Sequence, residues 1–262
     1  MDTIKGFFEF DISEKYGLDL RSVSIPTKIK SIVDDLFGWN KNIEETVKVA
    51  CSYASKIYDH GFVKMDTVTH KNENIISKLI ISSTFGNARP VMVTDRRWDH
   101  LSKTGHKIFW RGVDDPKYVD SFKYYGDFVG GNYIYTGTWM AADREKALGY
   151  SDRASPETLM EMMVNKFANI ADNDDIKSIA NNFRDALKQA SNDNLDSKEY
   201  DKYLSYCLKY SLEMLASNYT WLCVVSGYHG VRLEFGKHQP KKDGDQEVMV
   251  IFDKSKIIMR NQ

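Results

Sequence analysis

Between Pro26 and about Asn87 apolar residues recur at helical spacing. In NIEETVKVACSYASKIYDHG, residues 42–61, Ile43, Val47, Cys51, Ala54 and Tyr58 fall on one face, Asn42 and Glu45 are spaced as a capping pair, and Gly61 is a stop. This predicts a mainly helical N-terminal part over residues 1–87. After Ala88-Arg89-Pro90 the texture changes to short apolar runs separated by turn residues: VMV at 91–93, KIFW at 107–110 and NYIYTGTWM at 132–140 predict strands. From about 154 to 217 the helical period returns. Ser155 and Pro156 supply a cap and a first-turn proline, and Met163, Phe167 and Ile170 share a face. So do Ile176, Ile179, Phe183 and Leu187, and then Tyr200, Leu204, Leu208, Leu212 and Leu215. WLCVV at 221–225, VRLEF at 231–235 and EVMVIF at 247–252 predict closing strands, with a polar loop, GKHQPKKDGDQ, at 236–246. The expected fold is α+β: the helical part, then a sheet-bearing domain over 88–262 with a helical insertion at about 154–217.

Composition narrows the class. At 262 residues, 42% of them hydrophobic, the chain can bury a large core. Its 36 basic and 37 acidic residues leave a net charge of -1, so no global electrostatic signal points to nucleic acid or membrane. The three cysteines, Cys51, Cys207 and Cys223, are widely spaced in apolar-periodic segments, as reduced buried thiols are. The opening MDTIKGFFEFDISEK carries acids around a short apolar run, unlike a signal peptide, and no run nears the roughly 20 apolar residues of a membrane span. The expected location is the cytosol, or a host cell into which the protein is delivered. Some chemistries drop out. Gly230 and Gly236-Lys237-His238 have the wrong glycine spacing for a phosphate loop, and histidine replaces the hydroxyl residue that would hold magnesium. Asp95, Asp99, His100 and His106 read as solvated loop and helix-start residues, so no metal is expected. No serine sits in a Gly-x-Ser-x-Gly elbow.

Three islands fit one chemistry together. GHKIFWRGVDD, residues 105–115, ends an apolar run in Arg111-Gly112, a permanently charged fork beside a residue that admits close approach. GGNYIYTGTWMAADREKALGYS, 130–151, carries Tyr135, Thr136 and Thr138 on one strand and then a short helix reaching Tyr150. GDQEVMVIF, 244–252, has Asp245 and Glu247 at i and i+2, on the same side of a strand entry. A fixed cation, a hydroxyl-aromatic strand and a carboxylate are the residue types of a clamp on a dinucleotide with a glycosidic bond to break.

In that order, KIFWRGV, GNYIYTGTWMAADREKALGYS and GYHGVRLEF followed by DQEVMVIFDKSKIIM resemble the Arg, Ser-Thr-Ser and Glu-x-Glu regions of the mono-ADP-ribosyltransferase superfamily, especially bacterial and phage members and toxin domains. The similarity covers about 88–151 and 218–262. It implies a split, mixed sheet that cradles NAD as substrate, no metal, and transfer of ADP-ribose to an unknown acceptor protein. By this resemblance Glu247 stabilises the sugar cation and Arg111 pairs with the pyrophosphate or a neighbouring ribose, with Gly112 allowing close approach. Thr136 would orient Glu247, and Tyr135, Thr138 and Tyr150 would line the NAD site. Asp245 would place the acceptor and the loop from Gly236 to Gln246 would contact the target. Three positions depart from the pattern: Thr136-Gly137-Thr138 replaces Ser-Thr-Ser, Asp245 stands where relatives carry Glu or Gln, and Tyr133 stands where many have glycine. Each residue also has a plainer role open to it: Arg111 in a salt bridge to Asp114, Glu247 as a solvated strand-start residue, Thr136 and Tyr135 as packing. The same site with water as acceptor gives an NAD glycohydrolase, and a transferase-like fold without turnover gives a binding or virion-associated module.

Overall fold

A computed structural model describes residues 23–59, 65–125, 135–149, 155–192, 202–235 and 246–261. Helices and one mixed sheet make it an α+β protein. By contact density the chain divides into two units, residues 1–80 with 179–222 and residues 81–178 with 223–262.

The first unit is helical. Helix α1 (Thr27–Phe37) ends at Gly38, whose φ of 74° suits glycine. Helix α2 (Lys41–Asp59) buries Ile43, Val47, Cys51 and Ala54, the stripe its sequence period predicts. The cap differs from the expected Asn42–Glu45 pair: Asn40 Oδ1 accepts from Ile43 N at 3.0 Å, so the true N-cap lies two residues earlier. Helix α3 (Met65–Phe85), α7 (Asn173–Asn192) and α8 (Lys202–Ser217) supply the rest, with α2 packing on α8.

Residues 221–225 correct an expectation. They belong to a helix, α9 (Tyr219–Val225), and not to a strand. Asn218 forces this locally, because its Oδ1 accepts from Trp221 N at 2.8 Å as a helix N-cap does, while Ser77 Oγ donates to the same oxygen at 3.0 Å. Trp221 is fully buried, packs within 6.1 Å of the Phe183 ring and 5.4 Å of the Phe37 ring, and donates Nε1–H to Thr46 Oγ1 at 2.9 Å.

The second unit holds an eight-stranded sheet in the order β1-β8-β4-β2-β3-β7-β6-β5. The strands are β1 (Val91–Val93), β2 (Ile108–Gly112), β3 (Thr138–Ala141), β4 (Leu159–Val164), β5 (Ile170–Ala171), β6 (Gly230–Phe235), β7 (Gln246–Ile251) and β8 (Ile257–Arg260). Short helices α4 (Asp95–Lys103), α5 (Pro116–Tyr125) and α6 (Arg144–Gly149) connect the early strands. The sheet is mixed, since β1–β8 and β5–β6 pair parallel and the other neighbours antiparallel. The sheet is continuous, and its thinnest junction lies in the middle, where β2 and β3 share only the Trp110↔Ala141 pair.

Strand β4 is the second correction, because a helix was expected from Ser155 through Ile170. Ser155 is the N-cap residue and its N donates to Thr158 Oγ1 at 2.7 Å, yet it opens only a 3-10 turn at Pro156–Thr158. Then LMEMMV alternates, with Met160 and Met162 buried and Glu161 exposed between them. Phe167, expected on a buried helical face, stands 79% exposed in the turn that follows. Two clusters of buried residues lie on opposite faces of the sheet. Phe109, Met140, Met160, Met162, Ile251 and Met259 make one, and Trp98 and Leu101 of α4 with Met163 and Ile258 make the other.

Candidate active site on three adjacent strands

Arg111 ends β2, Thr138 opens β3 and Glu247 lies near the start of β7, so three islands far apart in sequence become consecutive strands. Register decides which way they point. Directly opposed residues share a face, and alternate residues on one strand do too. Trp110↔Ala141 sets Arg111 and Phe109 on the same face as Met140 and Thr138. The pairs Thr138↔Ile251 and Met140↔Met249 add Met249 and Glu247. Arg111, Thr138 and Glu247 therefore share the face that carries the Phe109–Met140–Met160 cluster.

Along that face they are spread out. Ala142 N donates to Glu247 O at 3.0 Å, which sets Glu247 beside Ala142. Thr138 faces Ile251, four residues away, or about 13 Å at the usual strand rise. Thr136 lies two residues farther, before β3 begins. The structure thus keeps the Thr136 hydroxyl and the Glu247 carboxylate at opposite ends of β3, and the expected hydrogen bond between them does not form.

Arg111 sits where the strands part. Beyond Trp110↔Ala141 no register joins β2 to β3, and Arg111 Nη1 donates to the Trp139 carbonyl at 2.9 Å. The guanidinium bridges the gap that strand pairing leaves. Gly112 continues β2 against Leu159 of β4. Of the two following aspartates, Asp115 caps α5, accepting from Lys117 N at 2.9 Å; that backbone bond, with the Lys117 ammonium, holds its carboxyl below the usual range.

The Tyr135–Thr138 stretch is interior. Tyr135, Thr136 and Thr138 are 4%, 5% and 2% exposed. The Tyr135 ring lies 6.5 Å from that of Phe252, and its carbonyl accepts from Trp139 Nε1 at 3.0 Å. Thr138 Oγ1 is buried without a hydrogen-bond partner, a state that costs about 1–3 kcal/mol for a hydroxyl. Gly137 between them has a packing reason: a Cβ there would lie 2.7 Å from Val250 Cγ1 and 3.0 Å from the Ile251 carbonyl oxygen. The central residue of the motif is glycine because β7 leaves no room for threonine.

Lys107 is the residue that the motif pattern missed. Its ammonium pairs with Glu247 Oε2 and stands 5.7 Å over the Phe109 ring. The signal is present in sequence, since Lys107, Phe109 and Arg111 alternate and share a face, but Lys107 reads there only as the polar first residue of the KIFW run. The two side chains are 52% and 27% exposed, so the pair contributes little to stability, about 0–1 kcal/mol.

Asp245, Tyr150, Tyr133 and the loop at 236–245 lie outside the described residues. Asp95 and Asp99 face Arg260 at 3.6 and 3.7 Å. No helix among the described residues is long and apolar enough to cross a membrane. No family model, curated protein or solved structure matches the chain.

Proposed function

We propose that the chain is a mono-ADP-ribosyltransferase that cleaves the nicotinamide–ribose bond of NAD and passes ADP-ribose to a protein side chain. One observation carries this: the arginine, hydroxyl and glutamate islands form three neighbouring strands and turn Arg111, Thr138 and Glu247 to one face. The residue types suit the substrate. Arg111 brings a planar fork of the kind that suits phosphate oxygens to a break in strand pairing, with Nη1 donating to the Trp139 carbonyl. The partnerless Thr138 hydroxyl is a polar group to which a ligand could offer an acceptor or donor. Because Tyr135, Thr136 and Thr138 are nearly closed to solvent, their contact with NAD requires that end of β3 to open, whereas Glu247 and Arg111 are already part-exposed.

The chemistry assigns Glu247 its role. Cleavage of the C1–nitrogen bond develops positive charge on the ribose, and a carboxylate fixed beside the ring favours that state over the ground state. The Lys107 ammonium partly neutralises this carboxylate at rest, so Glu247 acts at full strength only when the ion pair loosens. Glu247→Gln tests the assignment. Nicotinamide release should fall by about 10²–10³ with NAD affinity nearly kept, the size expected for one lost transition-state partner. Release at the wild-type rate would remove Glu247 from the mechanism.

A further inference from the structure

We propose that Lys107 is itself an acceptor: the protein attaches ADP-ribose to the Lys107 side chain. This rests on the transferase assignment above and deepens it by naming a nucleophile. The Lys107 Nζ is in contact with Glu247 Oε2, and about half of its side chain is exposed. An electrophilic ribose carbon held against that carboxylate is therefore next to an amine. The four-carbon stem of lysine rotates freely enough to bring nitrogen to the roughly 3–3.5 Å of a near-attack geometry. The ion pair adds little to stability, so the fold has little need to hold Lys107 in place.

The balance of the step is as follows. The Lys107 ammonium gives one proton to solvent as the ion pair loosens, leaving a neutral amine beside a Glu247 that stays ionised. The amine lone pair forms the bond to the ribose anomeric carbon as that carbon's bond to the nicotinamide nitrogen breaks, and the bonding pair leaves with neutral nicotinamide. Glu247 keeps its charge throughout and faces the positive charge that develops on the ribose. One NAD and one lysine ammonium yield a charged secondary amine bearing ADP-ribose, one nicotinamide and one proton, and no oxidant or reductant is consumed. The product tethers a pyrophosphate beside Glu247, so modification also closes the site to a second NAD.

The test incubates the full chain with NAD, follows nicotinamide release, and maps adducts by intact mass and peptide fragmentation. The expected result is a single ADP-ribosyl adduct on Lys107, growing with nicotinamide release and at least tenfold lower in Glu247→Gln. In Lys107→Met, with its melting temperature checked, no peptide should carry the adduct at comparable level. Nicotinamide release from wild type without a Lys107 adduct overturns the proposal and leaves the transferase assignment standing. Absence of both overturns both. Equal labelling of Lys107 by free ADP-ribose, which glycates amines without catalysis, also overturns it.

Discussion

Restoring the central threonine of the family pattern should harm the protein, and Gly137→Ala is the cleanest first step toward it. Adding a Cβ at 137 brings a carbon to 2.7 Å from Val250 Cγ1, 3.0 Å from the Ile251 carbonyl oxygen and 3.1 Å from Phe252 Cδ1. The three neighbours differ in how far they can give. The Val250 methyl can shift only with a fully buried, β-branched side chain, and the Ile251 carbonyl belongs to the strand that registers against β3. Overpacking of this kind costs about 1–3 kcal/mol. Against it stands the gain from a stiffer unfolded chain, about 0.4–1 kcal/mol for glycine to alanine. The net is a loss of roughly 1–2 kcal/mol, or about 2–8 °C in apparent melting temperature for a chain of this size. Gly149→Ala is the matched control, since a Cβ there meets nothing within 4 Å and only the unfolded-state gain remains. Thermal melts by circular dichroism on wild type and both variants decide it. Gly137→Ala that melts with wild type or above would refute the β3–β7 register, and with it the alignment of Thr138 and Glu247 on one face. Gly137→Thr should be worse than alanine, as β-branching adds a second group at the crowded carbon.

Three further outcomes follow from the same geometry. Arg111→Lys keeps the charge but loses the fork, so NAD affinity should weaken by about 1–3 kcal/mol with little change in melting temperature; a large fall in melting temperature with affinity intact would make Arg111 a purely structural residue. Thr138→Val removes a partnerless buried hydroxyl at nearly constant volume and should raise stability by about 1 kcal/mol while reducing NAD turnover, and a destabilised variant would mean that the hydroxyl is satisfied in solution. Cys223, whose thiol burial pushes far above its usual range, should resist maleimide at pH 8 in the native protein and react only on unfolding; rapid native labelling, mapped to this residue, would show that α9 opens.

How much of this was legible in the sequence depends on whether the deciding interaction is local. The stripe of α2 is local, because Ile43, Val47, Cys51 and Ala54 meet at a spacing that the chain itself sets, and it came out as expected. The run WLCVV is apolar throughout and has no period to read. Its helix depends on one side chain just upstream, Asn218, whose capping bond to Trp221 N carries the conformation. At 155–170 the start is local and its reach is not: Ser155 opens one turn, after which Met160, Glu161 and Met162 alternate at a period of two. Methionine fits either element, so the alternation of Glu161 between buried neighbours was the better signal.

For the site the division falls at the same place. That a charged fork, a hydroxyl pair and a carboxylate each accompany a separate apolar run is visible in one dimension, and those runs do become neighbours in the sheet. Their offset is not visible, because it is set by pairing between strands whose residues are far apart in the chain. Only the register shows that Glu247 lies beside Ala142 and not beside Thr136, and that the nearest partner of its carboxylate is Lys107. The same long-range pairing explains Gly137, which looks in sequence like a loosened motif and is in the fold a tight contact with Val250 and Ile251. An ordered set of residue types can therefore nominate a site, while the distance between its members has to come from the partner strand. Here the register puts a lysine ammonium, and not a threonine hydroxyl, against the Glu247 carboxylate, and under the proposed function that ammonium has to leave before the carboxylate can face a ribose.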